Sequence, residues 1–491
     1  MPGERAIEET LRRGSIRELQ GLLAHRRLSA RELVQWTLGR IANVSQTQGG
    51  INAVREVSGQ ALDEAALIDS RLARGEPLGA LVGVPVLLKD NILVGDGQRT
   101  SAGAAALADF RGRRDATIVT RLRAAGAIIV GKCNMTEFAD YVSDTMPAGF
   151  SGIGGMVVNP HTGEPYGRGQ GSSVGSAAAV AADLVPLAIG TETQNSLQAP
   201  ACHSSVVAVK PSVGLVSRAG VVPLVPSQDS PGPIVRNVAD ATLALQSLAG
   251  PDCRDTATLA MPRGVASGEI ALSALRIGVP RRAISDRPEV AEVLAQFEVV
   301  LSLLARGGAQ IVDPCEIPSA ATIMDLRSCV FRTEFKASLD AFLDDHDEPC
   351  GIGSLAALIA WNDRHPDCVP FGQSLLVAAA TTDGLGSAEY RQDRAQDIAL
   401  SGPEGIDAAL SEHRADILLV PMACAAKITG KAGAPVVALP AGADANGRPF
   451  GITAIASHGN DARLLQAAAA IEGALERGLG PRMLPQFPNP T

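Results

Sequence analysis

Short, wholly apolar runs recur along this chain, each too short for a buried helix and each followed by a stretch of helical period. Leu81–Leu88, Ala127–Val130, Val185–Ile189, Val206–Val209, Ile417–Val420 and Val436–Leu439 are of this kind, and Val221–Leu224 reads the same way. A strand that is apolar on both sides must be covered on both sides, which places it in a sheet sandwiched between helices. The intervening segments supply those helices, at Ala61–Arg74, near Ala116–Ala125, over the small-residue run Ser176–Ala182 and over Ala462–Glu476. Two more precede the first strand. Ile16, Leu19, Leu22 and Leu23 share a helical face, and Ser29 with Glu32 three residues on forms a capping box. Strands alternating with helices predict an α/β fold.

Composition removes several functions. The 491 residues carry 43 Lys+Arg against 52 Asp+Glu, a net charge of −9, so a broad nucleic-acid surface is not expected. The longest weakly polar stretch, Ser176–Gly190, is interrupted by Asp183 and Pro186, and the N-terminus has no apolar leader, so neither membrane nor export is expected. The eight cysteines are scattered without a C-x-x-C pair, which predicts reduced cytoplasmic thiols and no metal cluster. Gly (51) and Ala are abundant while aromatics make 3%, which suits helices packed close on a sheet.

Two motifs fail on context. Gly126–Cys133 has the glycine–lysine spacing of a phosphate loop, but its middle is apolar and β-branched, and Cys133 replaces the magnesium-binding hydroxyl. Gly171-Ser172-Ser173-Val174-Gly175 fits G-x-S-x-G, yet Pro165–Gln170 cannot be the strand that a nucleophile elbow requires. None of the histidines that follow stands in a distinguishing context. Cys202 and His203 are adjacent and read as packed side chains, and Lys132 and Lys210 read as structural hydrogen-bond donors.

A third constellation absorbs these pieces. Lys89 closes an apolar strand, a glycine- and serine-dense loop runs from Gly169 to Ser176, and Ile189-Gly-Thr-Glu-Thr-Gln-Asn-Ser196 follows. Together with Gly83–Asn91, Gly131–Phe138, Gly171–Ala182, Lys210–Gly220, Ser227–Pro233 and the tail Ala441-Gly442 through Gly451, this resembles the amidase signature family over almost the whole chain. The branch containing peptide amidases is the most similar. The resemblance implies one large α/β/α domain over 1–491, with a central mixed, twisted sheet covered by helices on both faces. Its parts are N-terminal helices (1–75), a signature core (76–260), a largely helical insertion or cap (261–412) and a C-terminal return to the core (413–491).

It also implies a Ser–cis-Ser–Lys triad. Lys89 matches the lysine, Ser172 the bridging serine held by a cis peptide, and Ser196, 24 residues on, the nucleophile. The backbone N–H groups of Thr193, Gln194, Asn195 and Ser196 form the oxyanion hole, and substrate contacts fall to Met135 and Ser173. No cofactor or metal is implied. The substrate is a small-molecule amide or peptide amide, and a homodimer is the default assembly.

The chemistry is coherent on its own terms. A serine hydroxyl needs a base. Lysine serves only when neutral, so burial must bring its pKa down from about 10.4. Ser172 would relay the proton between Lys89 and Ser196, and water would clear the acyl-enzyme.

Departures define the alternatives. Related chains usually carry glycine just before the nucleophile, where φ > 0 is then free, whereas this chain has Gln194-Asn195. Val174 stands where the plain glycine-rich pattern has another glycine. Leu197–Pro200 replaces the arginine that glutamine-using relatives place after the nucleophile, which disfavours a carboxylate-bearing substrate. Hydrolysis of a neutral carboxamide is the leading expectation. An acyl-transfer enzyme and a catalytically degenerate scaffold are the rivals.

Overall fold

The computed structural model describes residues 2–77, 79–262, 265, 268–284, 288–345 and 351–485. Its centre is an eleven-stranded mixed sheet. The strands are β1 (Val54–Val57), β2 (Pro85–Lys89), β3 (Ile128–Cys133), β6 (Leu187–Glu192), β7 (Val207–Lys210), β8 (Ser230–Val235), β9 (Arg276–Gly278), β10 (Gln310–Val312), β11 (Ile417–Pro421), β12 (Val436–Ala443) and β13 (Pro449–Ile455). Two further short strands, β4 (Phe150–Ser151) and β5 (Gly155–Met156), form a separate hairpin. The order across the sheet is β1-β3-β2-β6-β8-β7-β12-β13-β11-β9-β10. The adjacent strands β3, β2 and β6 are parallel, with Val86 opposite both Ile129 and Leu187, while β8 runs antiparallel to β6.

Period-two alternation along the buried strands feeds two cores. Val86, Leu88, Ile129, Ile189 and Val209 point to one face, under helices Thr117–Ala124 and Val238–Leu248. Leu87, Ile128, Val130, Ala188 and Ala208 point to the other, under helices Ala30–Arg40, Ala61–Ala73 and Val174–Ala181. Burying each such Val, Leu or Ile is worth about 1.5–3 kcal/mol. The Ser29–Glu32 capping box forms as expected, and Ser15 with Glu18 makes a second one.

Helix Val174–Ala181 lies wholly inside the protein, and its residues are all small or β-branched. A Cβ on Gly175 would lie 2.2 Å from the carbonyl oxygen of Asn134, so only glycine allows this close a seat. The helix starts immediately after Ser172-Ser173 and thereby fixes where those serines sit.

Two expectations change. Val221–Leu224 is not a strand: only Val221 makes an isolated bridge, to Ile92. The N–H groups of Leu224 and Val225 are taken by the Asp229 carboxylate at 2.8 and 2.9 Å, a side chain replacing a neighbouring strand. The segment 261–412 holds six complete α-helices among its described residues, from Pro288–Arg306 to Ala388–Ser401, and most of a seventh, Asp407–His413, but it also supplies β9 and β10 to the main sheet. These three-residue strands are too short to show a period. Part of the acidic run Asp344–Glu348, like Cys350, lies outside the described residues. No helix among the described residues is long and apolar enough to cross a membrane.

Candidate active site

The carboxyl ends of parallel β2 and β6 deliver Lys89 and Thr191 side by side, where open α/β sheets commonly bind ligands. Lys89 Nζ is fully buried. It lies 2.6 Å from Ser172 Oγ, 3.2 Å from the Thr191 carbonyl oxygen and 3.0 Å from Thr191 Oγ1. The peptide bond Gly171–Ser172 is cis. The next residue joins the two serine loops: Ser173 N–H donates to the Ser196 carbonyl at 3.1 Å, and Ser173 Oγ donates to the Thr191 carbonyl at 3.0 Å. Ser196 follows β6 by four residues and is 4% exposed.

Burial lowers the Lys89 pKa from 10.5 to about 7. The charges of Asp229, Glu192 and Asp140 pull it back up, but by less than desolvation pushes it down. Its three partners suit both protonation states. A neutral amine has two hydrogens for the two Thr191 oxygens and one lone pair for the Ser172 hydroxyl hydrogen. An ammonium donates to all three. A proton can therefore arrive and leave without rearranging the cage. Asn91 Nδ2 also donates to Thr191 Oγ1 at 3.0 Å, which restrains that hydroxyl further.

The loop that carries Ser196 is held by two carboxylates. Glu192 accepts from the N–H groups of Leu197 and Gln198 at 2.7 and 3.0 Å and from Gln198 Nε2 at 2.6 Å. Burial raises the pKa of both Glu192 and Asp229, opposed by their hydrogen bonds and nearby cations. Thr193 Oγ1 donates to Asp229 at 2.6 Å. Gln194 and Asn195 are not among the positive-φ residues, so the left-handed geometry that glycine would favour is not used here. None of the backbone N–H groups from Thr193 to Ser196 donates to a described residue.

Two expected substrate contacts move inside. Met135 is 1% exposed, and its N–H is held by Asn134 Oδ1. Ser173 is fully buried and spends its hydroxyl on the loop junction. Lys132 donates to the Ile92 carbonyl and to Thr100 Oγ1, and Lys210 donates to the Ala434 carbonyl at 2.8 Å, so both are structural. Burial raises the Cys202 thiol to about 12 and lowers His203 to about 4, which leaves no thiolate–imidazolium pair.

Asn91, Thr191, Asp229 and Asp140 carry roles that residue patterns did not assign. The first three stand inside quoted motifs. Asp140 ends a run of left-handed residues, Phe138, Ala139 and Asp140, with φ of 43°, 56° and 76°, at roughly 1–2 kcal/mol each. Burial raises its carboxyl to about 6, against the charges of Arg168 and Lys89.

Two cavities flank this centre, although Lys89, Ser172 and Ser196 line neither. One, of about 490 Å³, is lined by Asn91, Thr191, Thr193, Val222 and Leu224 and by Phe342 of helix Val330–Asp345. The other, of about 590 Å³, is bounded by Gly169, Gln170, Ala199, His203, Met422 and Arg448.

A mixed sheet carries a buried lysine, its pKa lowered to about 7, against one serine, with free backbone donors beside a second. The chain belongs to the Amidase family, whose model matches residues 32–465. The native peptide amidase of Stenotrophomonas maltophilia is 36% identical and superposes with a TM-score of 0.87, covering 97% of this chain and 99% of that one. A probable amidase from Arabidopsis thaliana is 32% identical over 95% of this chain and 90% of its own length. A glutamyl-tRNA(Gln) amidotransferase subunit of Salinispora tropica is 40% identical over 61% of this chain and 60% of its own. The protein is an amidase, a hydrolase of amide carbon–nitrogen bonds.

Proposed function

We propose that the protein hydrolyses a neutral carboxamide, of a small molecule or a peptide amide, through an acyl-enzyme on Ser196. The Lys89 Nζ–Ser172 Oγ contact of 2.6 Å carries this reading. Neutral Lys89 takes the Ser172 proton while Ser172 takes that of Ser196, and the serine oxygen adds to the amide carbonyl. The free N–H groups from Thr193 to Ser196 would receive the oxyanion. The proton now on Lys89 returns through Ser172 to the leaving amine as the carbon–nitrogen bond breaks. Water then repeats the cycle on the ester. The seven described cysteines are all free thiols, which fits a reducing, cytoplasmic setting. The homodimer is tested by sedimentation velocity.

Leu197–Pro200 stands where glutamine-using relatives place an arginine, and within it the Gln198 amide is bound to Glu192 and to the Gln194 carbonyl, which argues against glutamine, with its free carboxylate, as the amide that is cleaved. Ammonia release from an amide panel, with Ser196→Ala as control and competing hydroxylamine to detect acyl transfer, tests the assignment. Ser196→Ala is expected to abolish both turnover and fluorophosphonate labelling. Wild-type turnover in that variant refutes the reading.

A further inference from the structure

The two side chains that stand in place of glycine tie the nucleophile loop to neighbours on either side. Gln194 Nε2 donates to Gln228 Oε1 at 3.1 Å, and Asn195 Nδ2 donates to the Gly169 carbonyl at 2.7 Å. Gln228 sits beside Asp229, which already holds Thr193. Gly169 lies three residues before Ser172, in the segment that delivers it.

That segment has little else to hold it. Gly167–Gln170 is mostly exposed and carries two glycines, with Gly169 at φ 74°. Ordering such a stretch is entropically costly. Its other hydrogen bonds are internal, between Gly167 and Gln170. Among the described residues, the Asn195 amide makes the one hydrogen bond from Gly167–Gln170 to another part of the protein. The carbonyl of Gly169 can only accept, so the NH2 end of Asn195 must face it. Glycine at 195 would supply no donor, and the backbone there does not need glycine's φ range.

We propose that Asn195 is a positioning residue whose side-chain amide sets the loop bearing Ser172 against the loop bearing Ser196, and so keeps the proton path from Lys89 continuous. The proposal rests on the Ser196–Ser172–Lys89 reading above. Gly169 and Gln170 also border the larger cavity, so KM can shift with this bond, and the continuity of the proton path is read in kcat and in the labelling rate.

Asn195→Gly removes the donor, and Asn195→Asp keeps the shape but offers only acceptors. Each variant is measured for kcat and KM on an amide, for the rate of fluorophosphonate labelling, and for melting temperature. A lost hydrogen bond of this kind predicts a fall of about five- to tenfold in kcat and in labelling rate, whatever the change in KM. Asn195→Asp is expected to fall at least as far. Labelling and kcat within about twofold of wild type in either folded variant overturn the proposal, as does a loss confined to KM. A lowered melting temperature with unchanged labelling also overturns it, because the amide would then be structural only. Ser196→Ala in the same labelling assay separates the two readings. If it still labels, the proposed function fails; if it does not and Asn195→Gly behaves as wild type, only this inference fails.

Discussion

Replacing Lys89 by methionine isolates the cost of burying the lysine. In the folded protein its pKa is lowered from 10.5 to about 7, chiefly by desolvation. In the unfolded chain it keeps the ordinary value. Between these two values the unfolded lysine holds its proton while the folded one has released it. The unfolded state then binds more protons, so raising the pH stabilises the wild-type fold through this group. The penalty is greatest at and below pH 7 and vanishes as the pH climbs toward 10.5. Each pH unit of full linkage is worth about 1.36 kcal/mol, and from pH 7 to pH 9 the linkage integrates to about 2 kcal/mol. Methionine does not titrate. The stability of Lys89→Met relative to wild type is therefore expected to drop by about 2 kcal/mol over that interval. The hydrogen bonds lost with the amine offset the two curves by a constant. Lys132 and Lys210, both lowered to about 8 by burial, titrate in both proteins and cancel. Urea unfolding at the two pH values reads the difference directly. A gap that stays constant with pH means the lysine is not desolvated, and its role as a neutral base falls with it.

The same group sets the pH–rate profile: kcat/KM should rise with pH through about 7, as Lys89 loses its proton, and an acid limb centred three or more units away would contradict the assignment. Thr191→Val removes the hydroxyl that accepts from both Lys89 and Asn91, and should lower kcat about fivefold, by about 1 kcal/mol, while leaving KM nearly unchanged. Unaltered kcat in Thr191→Val would show that the hydroxyl does not orient the lysine.

The site is legible where local pattern and motif coincide. Lys89 closes an apolar strand, and the resemblance joins it to Ser172 across 83 residues, where the structure places a direct contact. The rest depends on the third dimension. Nothing in Phe138-Ala139-Asp140 announces three left-handed residues, since none is glycine. Val221–Leu224 has the composition of a strand, but Pro223 has no N–H, the Val221 and Val222 amides go to the Arg218 and Asn91 carbonyls, and Asp229 takes the Leu224 amide. Ser173 is expected at the substrate because it neighbours Ser172, yet the following helix turns its hydroxyl inward. Asn195 has the look of a defect in a glycine pattern. A side chain that reaches Gly169 can be recognised only once the two loops are adjacent.

The helix that lines the smaller cavity has a consequence for how such an enzyme diversifies. Ser338, Ala341, Phe342 and Asp345 face that cavity from one helix at intervals of three, one and three residues, a single stripe of it. The groups proposed to handle protons, Lys89, Ser172 and Ser196, all lie far away in the chain. If substrate enters this cavity, drift in the stripe reshapes what fits without touching Lys89, Ser172 or Ser196, and a combinatorial library confined to codons 338, 341 and 342, screened on varied amides, reads that separation directly.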